Sequence, residues 1–153
     1  MNRQSKGISL KKINVTDRFL KREMELARTE VIPYQWEALN DNVEGAEPSF
    51  CMRNFKLAAK LGEKRRALGQ ESLPVWTTEE FNLVPEKGKP MEDRFYGFVF
   101  QDTDFSKWIE AVGYSLAAHP DPELEKLADH AIDIVCAAQY EDGYLDTFYI
   151  IND

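Results

Sequence analysis

The 153-residue chain is predicted to be all-α, built from antiparallel helical hairpins, and three observations lead there. Apolar residues recur every three or four positions in four separate segments. Capping and breaking residues stand at the ends of those segments. The last two segments are joined by so short a link that their helices are expected to pack side by side, an αα-hairpin. With 43% hydrophobic and 12% aromatic residues the chain can bury a core, and its length suits one domain.

The first helix is expected over 17–40. Leu20, Met24, Ala27 and Val31 form one stripe, predicted to be buried, and Thr16 or Asp17 can cap its start by accepting an orphan amide. Lys21, Arg22 and Glu25 fall on the wet side. Pro33 lacks an amide hydrogen and clashes one turn back, so the helix should kink or restart there, leaving 34–39 as its own piece. Residues 41–48 read as a loop. A second helix is predicted from about 49 to 68, with Met52, Phe55, Ala59 and Leu61 inside and Gly69 as its stop. The basic cluster of Lys60, Lys64, Arg65 and Arg66 around Glu63 suits a solvated helix face better than an RNA-binding patch.

Periodicity lapses from 70 to 90, where Pro74, Pro85, Gly88 and Pro90 intervene and only 78–83 suggests a helical turn. Trp76, Phe81 and Leu83 make about 70–92 a loop-rich insertion laid over a surface, not a free linker. Residues 93–100 form a short aromatic approach, readable as extended chain. A third helix should start near Asp104, with Phe105, Trp108, Ile109, Val112 and Leu116 on one face. His119-Pro-Asp-Pro122 breaks it. Asp121 can cap the next helix and Pro122 suits its first position, where no amide is missed. That last helix, about 122–139, turns Leu124, Leu127, Ala128, Ala131, Val135 and Ala138 inward, and Cys136 reads as buried filler within it. Glu141-Asp142-Gly143 then turns the chain.

Composition excludes several function classes. Nineteen Lys and Arg against 27 Asp and Glu leave a formal charge of −8, without the footprint that phosphate backbones require, so no nucleic-acid partner is expected. No run approaches the ~20 apolar residues of a membrane span, and the first residues develop no apolar signal core. Cys51 and Cys136 have no Cys-x-x-Cys or His neighbour, so no metal site is expected from them. With the missing signal they favour a reducing, cytoplasmic setting. His119, at a helix end, and His130, on an outer arc, read as structural.

No complete catalytic constellation is visible. The densest polar cluster is Phe98-Val-Phe-Gln-Asp-Thr-Asp-Phe-Ser-Lys-Trp108. Gln101, Asp102 and Asp104 precede a helix start there, with Trp108 one turn further in. Capping and the helix dipole account for such acids. So does a sugar pocket, in which amides and carboxylates take hydroxyls and an aromatic face stacks on the ring. The residues alone favour capping. A second cluster, Gln139-Tyr-Glu-Asp-Gly-Tyr-Leu-Asp146, contains Asp142 and Tyr144 and reads first as a turn. Paired carboxylates serve glycosidases, but residues two apart on a loop establish no facing geometry, so Asp102 and Asp104 receive no catalytic role.

Six strings occur in one order: Ile32-Pro-Tyr-Gln-Trp36, Asn54-Phe-Lys-Leu-Ala-Ala59, Tyr96-Gly-Phe-Val-Phe-Gln-Asp-Thr-Asp104, Lys107-Trp-Ile-Glu-Ala-Val112, His119-Pro-Asp-Pro-Glu-Leu124 and Asp142-Gly-Tyr-Leu-Asp-Thr147. Together they resemble the N-terminal part of the β-L-arabinofuranosidases, glycoside hydrolase family 127. The resemblance covers about residues 10–153, weakly across 70–92, where the chain is longer than the family's usual connection.

The resemblance implies that residues 1–153 form the N-terminal portion of an (α/α)6-barrel catalytic domain. It implies a retaining hydrolase that removes terminal β-L-arabinofuranosyl units with a cysteine nucleophile, a glutamate acid/base and a zinc ion. Those groups lie downstream of the matching region, so the nucleophile, acid/base, zinc ligands and any cofactor are expected to be absent from this chain, and neither Cys51 nor Cys136 takes their roles. The resemblance also raises Gln101, Asp102, Asp104, Trp108, Asp142 and Tyr144 as substrate-binding candidates, with an arabinofuranosyl carbohydrate as partner. An incomplete barrel would expose apolar faces, so a helical fold with an exposed apolar surface, or self-association through it, is expected. The competing expectation is a free-standing helical interaction or carbohydrate-binding module without catalysis.

Overall fold

The computed structural model describes residues 6–70 and 82–152. After a short 3-10 turn at Leu10–Lys12, helix α1 spans Arg18–Leu26, opened by Asp17, whose carboxylate accepts from the Leu20 amide at 2.8 Å. A π-helical segment, Ala27–Val31, follows and leads directly into α2, Ile32–Leu39. The Ile32 amide reaches back five residues to the Ala27 carbonyl. This wider turn lets Pro33 fall in the opening turn of α2, where its missing amide does least harm. The break expected at Pro33 is therefore a change of helical register just before it.

Helix α3, Cys51–Ala67, is the centre of the core. Cys51, Met52, Asn54, Phe55, Leu57 and Ala58 are buried along it. Gly69 follows in the left-handed region at φ 64°, as a C-terminal stop requires. A two-residue antiparallel pair, β1 (Asn82–Leu83) and β2 (Gly97–Phe98), sets Asn82 opposite Phe98 and Leu83 opposite Gly97. Helices α4 (Asp102–Ala118) and α5 (Pro122–Ala138) come next, then a single turn, α6 (Thr147–Ile151). The Asp121 carboxylate caps α5 through the amides of Glu123 and Leu124. Asp146 caps α6 in the same way.

Alanines decide the packing of α5. Ala128, Ala131 and Ala138 are buried with Val135, and such small side chains let α5 lie closely on α3. Phe148, Ile150 and Ile151 of α6 close the end of this layer, and the Arg65 guanidinium donates to the Ile150 carbonyl at 2.7 Å. Phe55, Phe95 and Phe148 are fully buried, each worth roughly 1.5–3 kcal/mol of transfer free energy. On the other side α2 packs on α4, where Trp36 and Trp108 lie 4.8 Å apart between ring centroids. The fold is all-α apart from the β1–β2 pair, and the helices form no closed barrel among the described residues.

Several expectations are corrected. The stripe on α1 is only partly covered: Leu20 is 53%, Met24 40% and Val31 46% exposed, while Ala27 is half-buried and, with Met24, lines a shallow groove against α4. Cys136 is exposed, since Ala131, Val135 and Ala138 already take the inward arc of α5. Arg65 is half-buried against α6 and not part of a purely solvated cluster. Within 78–83, residues 78–81 lie outside the described residues and Asn82–Leu83 is extended, not helical. Helix α4 begins at Asp102, two residues before the expected start. His130, by contrast, is exposed as its outer arc implies, and His119 is exposed at the end of α4.

Candidate functional site

The site forms where the end of α2, the start of α3 and the first turns of α4 meet. Helix α2 ends with Asp41 in the left-handed region at φ 61°, a conformation that Asp tolerates better than most residues. The Asn42 amide closes the turn on the Glu37 carbonyl at 2.9 Å. From there the Asp41 carboxylate accepts from the amides of Ser49 (2.6 Å) and Phe50 (3.0 Å). It thereby fixes the approach to α3 and holds Phe50 in its own left-handed conformation, φ 60°. Such strain persists only where surrounding contacts over-determine it, and the buried ring of Phe50 against Tyr96 supplies them.

Across from Ser49 stands Gln101. Its amide nitrogen donates to the Asp104 carboxylate at 2.7 Å and lies 3.5 Å from the Ser49 hydroxyl, while its oxygen takes the Phe98 amide at 3.4 Å. The other Asp104 oxygen accepts from the Lys107 ammonium at 3.0 Å. Gly97 makes this possible. At φ 99° it occupies a region that side chains avoid, and a Cβ there would sit 3.0 Å from the Gln101 oxygen.

Between α2 and α4 these groups line an open groove of about 520 Å3, with Ile32, Gln35 and Trp108 also on its walls. Trp108 is only 4% exposed. Its indole N–H donates to the Ile32 carbonyl at 3.0 Å, and Trp36 packs against its ring. The indole is thus a fixed wall of the groove, its face already occupied, and not an open stacking platform. The polar wall of a hydroxyl, an amide, a carboxylate and an ammonium can take several sugar hydroxyls.

Of the six residues singled out in the sequence, the structure brings together Gln101, Asp104 and Trp108. Asp102 points elsewhere, holding the amide and hydroxyl of Thr147 at 2.7 and 2.6 Å. Burial holds its carboxyl above the ordinary carboxylate range, although the Thr147 bonds pull the other way. Asp142 is exposed and accepts from the Tyr144 amide at 2.9 Å, a turn device. Tyr144 is half-buried beside Tyr140. Neither lines the groove. Sequence reasoning missed Ser49 and Gln35, which carry no local signal, and Lys107, whose position three residues after Asp104 on a helix was the available one.

The Cys51 thiol lies under this site. Burial pushes it up to about 12, the Phe105 amide offsets part of that, and the charges of Asp102, Asp104 and Asp41 add to it. It therefore rests as the protonated thiol, a poor nucleophile at neutral pH. Zinc, which the sequence resemblance implies for full-length family members, finds no fit here. Among the described residues no three His, Cys, Asp or Glu converge on a common point.

Comparison with known proteins follows the same elements. The profile of the β-L-arabinofuranosidase GH127 catalytic domain matches residues 12–153. A non-reducing end β-L-arabinofuranosidase of Bifidobacterium longum subsp. longum is 39% identical over 140 residues, which is 92% of this chain and 19% of that protein. The crystal structure of a GH127 β-L-arabinofuranosidase from Geobacillus stearothermophilus T6 is similar at TM-score 0.65 and 44% identity, over 89% of this chain and 17% of that one. The chain spans under a fifth of the length of either relative. No described helix is long and apolar enough to cross a membrane. With the match running through every helix from α1 to α6, the chain belongs to the GH127 β-L-arabinofuranosidase family.

Proposed function

We propose that residues 1–153 supply the N-terminal helical wall of the sugar pocket in a retaining glycoside hydrolase acting on terminal β-L-arabinofuranosyl units. On this reading the helices are part of an (α/α)6 barrel, and this chain alone binds the sugar weakly and does not hydrolyse it. One observation carries the proposal: Ser49, Gln101, Asp104 and Lys107 converge on a groove walled by Trp108, in a chain of this family. Gln101 and Asp104 bind and orient hydroxyls. Trp108 keeps the groove wall rigid.

The inactivity is our reading of the resemblance, which implies that the nucleophile and acid/base lie downstream of the matching residues 12–153. The test is an assay of the purified chain on p-nitrophenyl β-L-arabinofuranoside, paired with an NMR titration with methyl β-L-arabinofuranoside. The expected result is no release of nitrophenol together with amide shifts at Ser49, Gln101 and Asp104. Turnover by the chain alone would overturn the inactivity, and unmoved amides at those three residues would overturn the pocket.

A further inference from the structure

The polar wall of the groove is assembled from two stretches of chain far apart in sequence. Ser49 stands at the approach to α3, and Gln101 stands 52 positions later at the start of α4. Their direct contact is 3.5 Å long, at the edge of hydrogen-bonding range, and too weak to set the distance between them. Another group has to hold the two stretches in register.

Asn54 sits where both stretches meet, completely buried in the first turn of α3. Its backbone amide donates to the Phe50 carbonyl at 2.9 Å, which ties it to the Ser49–Phe50 approach. Its side-chain amide donates to the Tyr96 carbonyl at 2.7 Å, across 42 positions. A carbonyl can only accept, so this contact fixes which end of the Asn54 amide faces it. The neighbouring Arg53 guanidinium holds the same segment, donating to the carbonyls of Glu92 and Arg94 and lying 4.8 Å over the Tyr96 ring. The carbonyl that Asn54 grips belongs to the peptide joining Tyr96 to Gly97. Gly97 leaves that peptide at φ 99°, and the Gln101 oxygen lies 3.0 Å from where a Gly97 Cβ would stand. The same oxygen takes the Phe98 amide, while the Gln101 nitrogen reaches the Asp104 carboxylate. A buried carbonyl is costly to leave without its donor, so rotation of the Tyr96–Gly97 peptide is resisted at its source.

We propose that Asn54 is a positioning residue for the pocket: by holding the Tyr96–Gly97 peptide, it sets the Gln101 side chain against Ser49 and Asp104. The proposal rests on reading the α2–α4 groove as the sugar pocket. Asn54 does not line that groove itself and acts only through Gln101.

The test follows, by NMR of the whole chain, the side-chain amide signals of Gln101 and the affinity for methyl β-L-arabinofuranoside. Asn54→Ala should move those signals and weaken sugar binding about fivefold, the loss expected when one hydrogen bond of the pocket loosens. Val112→Ala, a truncation of another buried residue, should lower stability without moving them. Gln101→Ala should weaken binding by a similar factor, and adding Asn54→Ala to it should weaken binding no further. Asn54→Ser keeps a donor but draws it back from the carbonyl. It should give the same changes in smaller measure, and it serves as the test where Asn54→Ala does not fold. Unmoved Gln101 signals in a folded Asn54 variant, or additive losses in the double variant, would overturn the positioning role and leave the pocket standing. If the parent chain binds no sugar, the pocket reading fails, and the Gln101 signals alone decide whether Asn54 sets that side chain.

Discussion

The Asp102 carboxylate accepts from both the amide and the hydroxyl of Thr147, across 45 positions, and so ties the first turn of α4 to the start of α6. An acid that sequence position places beside a pocket is in fact a clamp between two helices. Asp102→Ala leaves the buried Thr147 amide and hydroxyl without their acceptor, at a cost of about 1–3 kcal/mol. Urea denaturation at pH 7 measures it. An unchanged midpoint would show that Thr147 finds other partners.

The same contact has a pH signature. Burial is the larger influence on Asp102 and raises its carboxyl, the Thr147 bonds offset part of that, and the Asp146 charge adds to the rise. The native state therefore holds this proton more tightly than the unfolded chain does. The stability it contributes is present below the ordinary carboxylate value of about 3.9 and is lost as pH rises through the raised native value. Asp102→Asn cannot titrate, so its stability should fall less than that of the parent as pH rises across that window. Denaturation midpoints of the two proteins from pH 3.5 upward give the comparison. Parallel curves would remove Asp102 as the source.

Local rules made some elements legible and long-range ones hid others. Helix α5 has its expected ends because Asp121 and Pro122 signal the start chemically, within the helix itself. The stripe on α1 was read correctly as apolar, but periodicity says which residues share a face and not whether anything lies over it. Asp102 illustrates the same limit: nothing near it in sequence announces Thr147. Gln101 and Asp104 were recoverable because their contact spans three residues on one helical turn. Ser49 was not, since it joins them only after Asp41 has folded the 41–48 loop back onto α3.

Gly97 should be among the least replaceable positions in the site. Gly97→Ala meets two penalties, a φ of 99° and a Cβ 3.0 Å from the Gln101 oxygen. The backbone penalty alone is of order 1–3 kcal/mol. The Gln101 side chain can retreat, but doing so loosens its 2.7 Å bond to Asp104. The expected outcome is a lower denaturation midpoint together with weaker methyl arabinofuranoside binding. Weaker binding at unchanged stability would instead point to a direct role of Gly97 in holding sugar.

The two cysteines should differ sharply toward a thiol-specific disulfide reagent. Cys51 is fully buried, with its thiol pushed up to about 12, so only about one molecule in ten thousand carries the thiolate at pH 8. Cys136 is exposed. Native protein should release one equivalent of reporter promptly, and Cys136→Ser none until denaturant is added. Prompt labelling of Cys51 in that variant would reopen it as a nucleophile.

Self-association should depend on the outer face of α1. Phe19, Leu20 and Met24 are 67%, 53% and 40% exposed on a helix that also carries Lys21 and Arg22. Residues 1–31 hold eight Lys and Arg against four Asp and Glu, whereas 120–146 hold eight acids and one lysine. The outer arc of α5 shows Asp129 and Asp133 beside Ile132, itself 40% exposed. Phe19 and Leu20 thus stand beside Arg18, Lys21 and Arg22 on one helix, and Ile132 stands beside Asp129 and Asp133 on another. A second copy of the chain would satisfy both through a head-to-tail contact, and repetition of that contact would give open oligomers, not a closed dimer. Sedimentation velocity should show mass rising with concentration at low salt and falling back as salt screens the charges. Leu20→Lys with Met24→Lys should abolish the association. Leu20→Lys alone should change stability by less than about 0.5 kcal/mol, because it removes little packing. Lys21→Glu with Arg22→Glu should weaken association, and combining it with Asp129→Lys and Asp133→Lys should restore it. A monomer at every concentration and salt would rule out the contact.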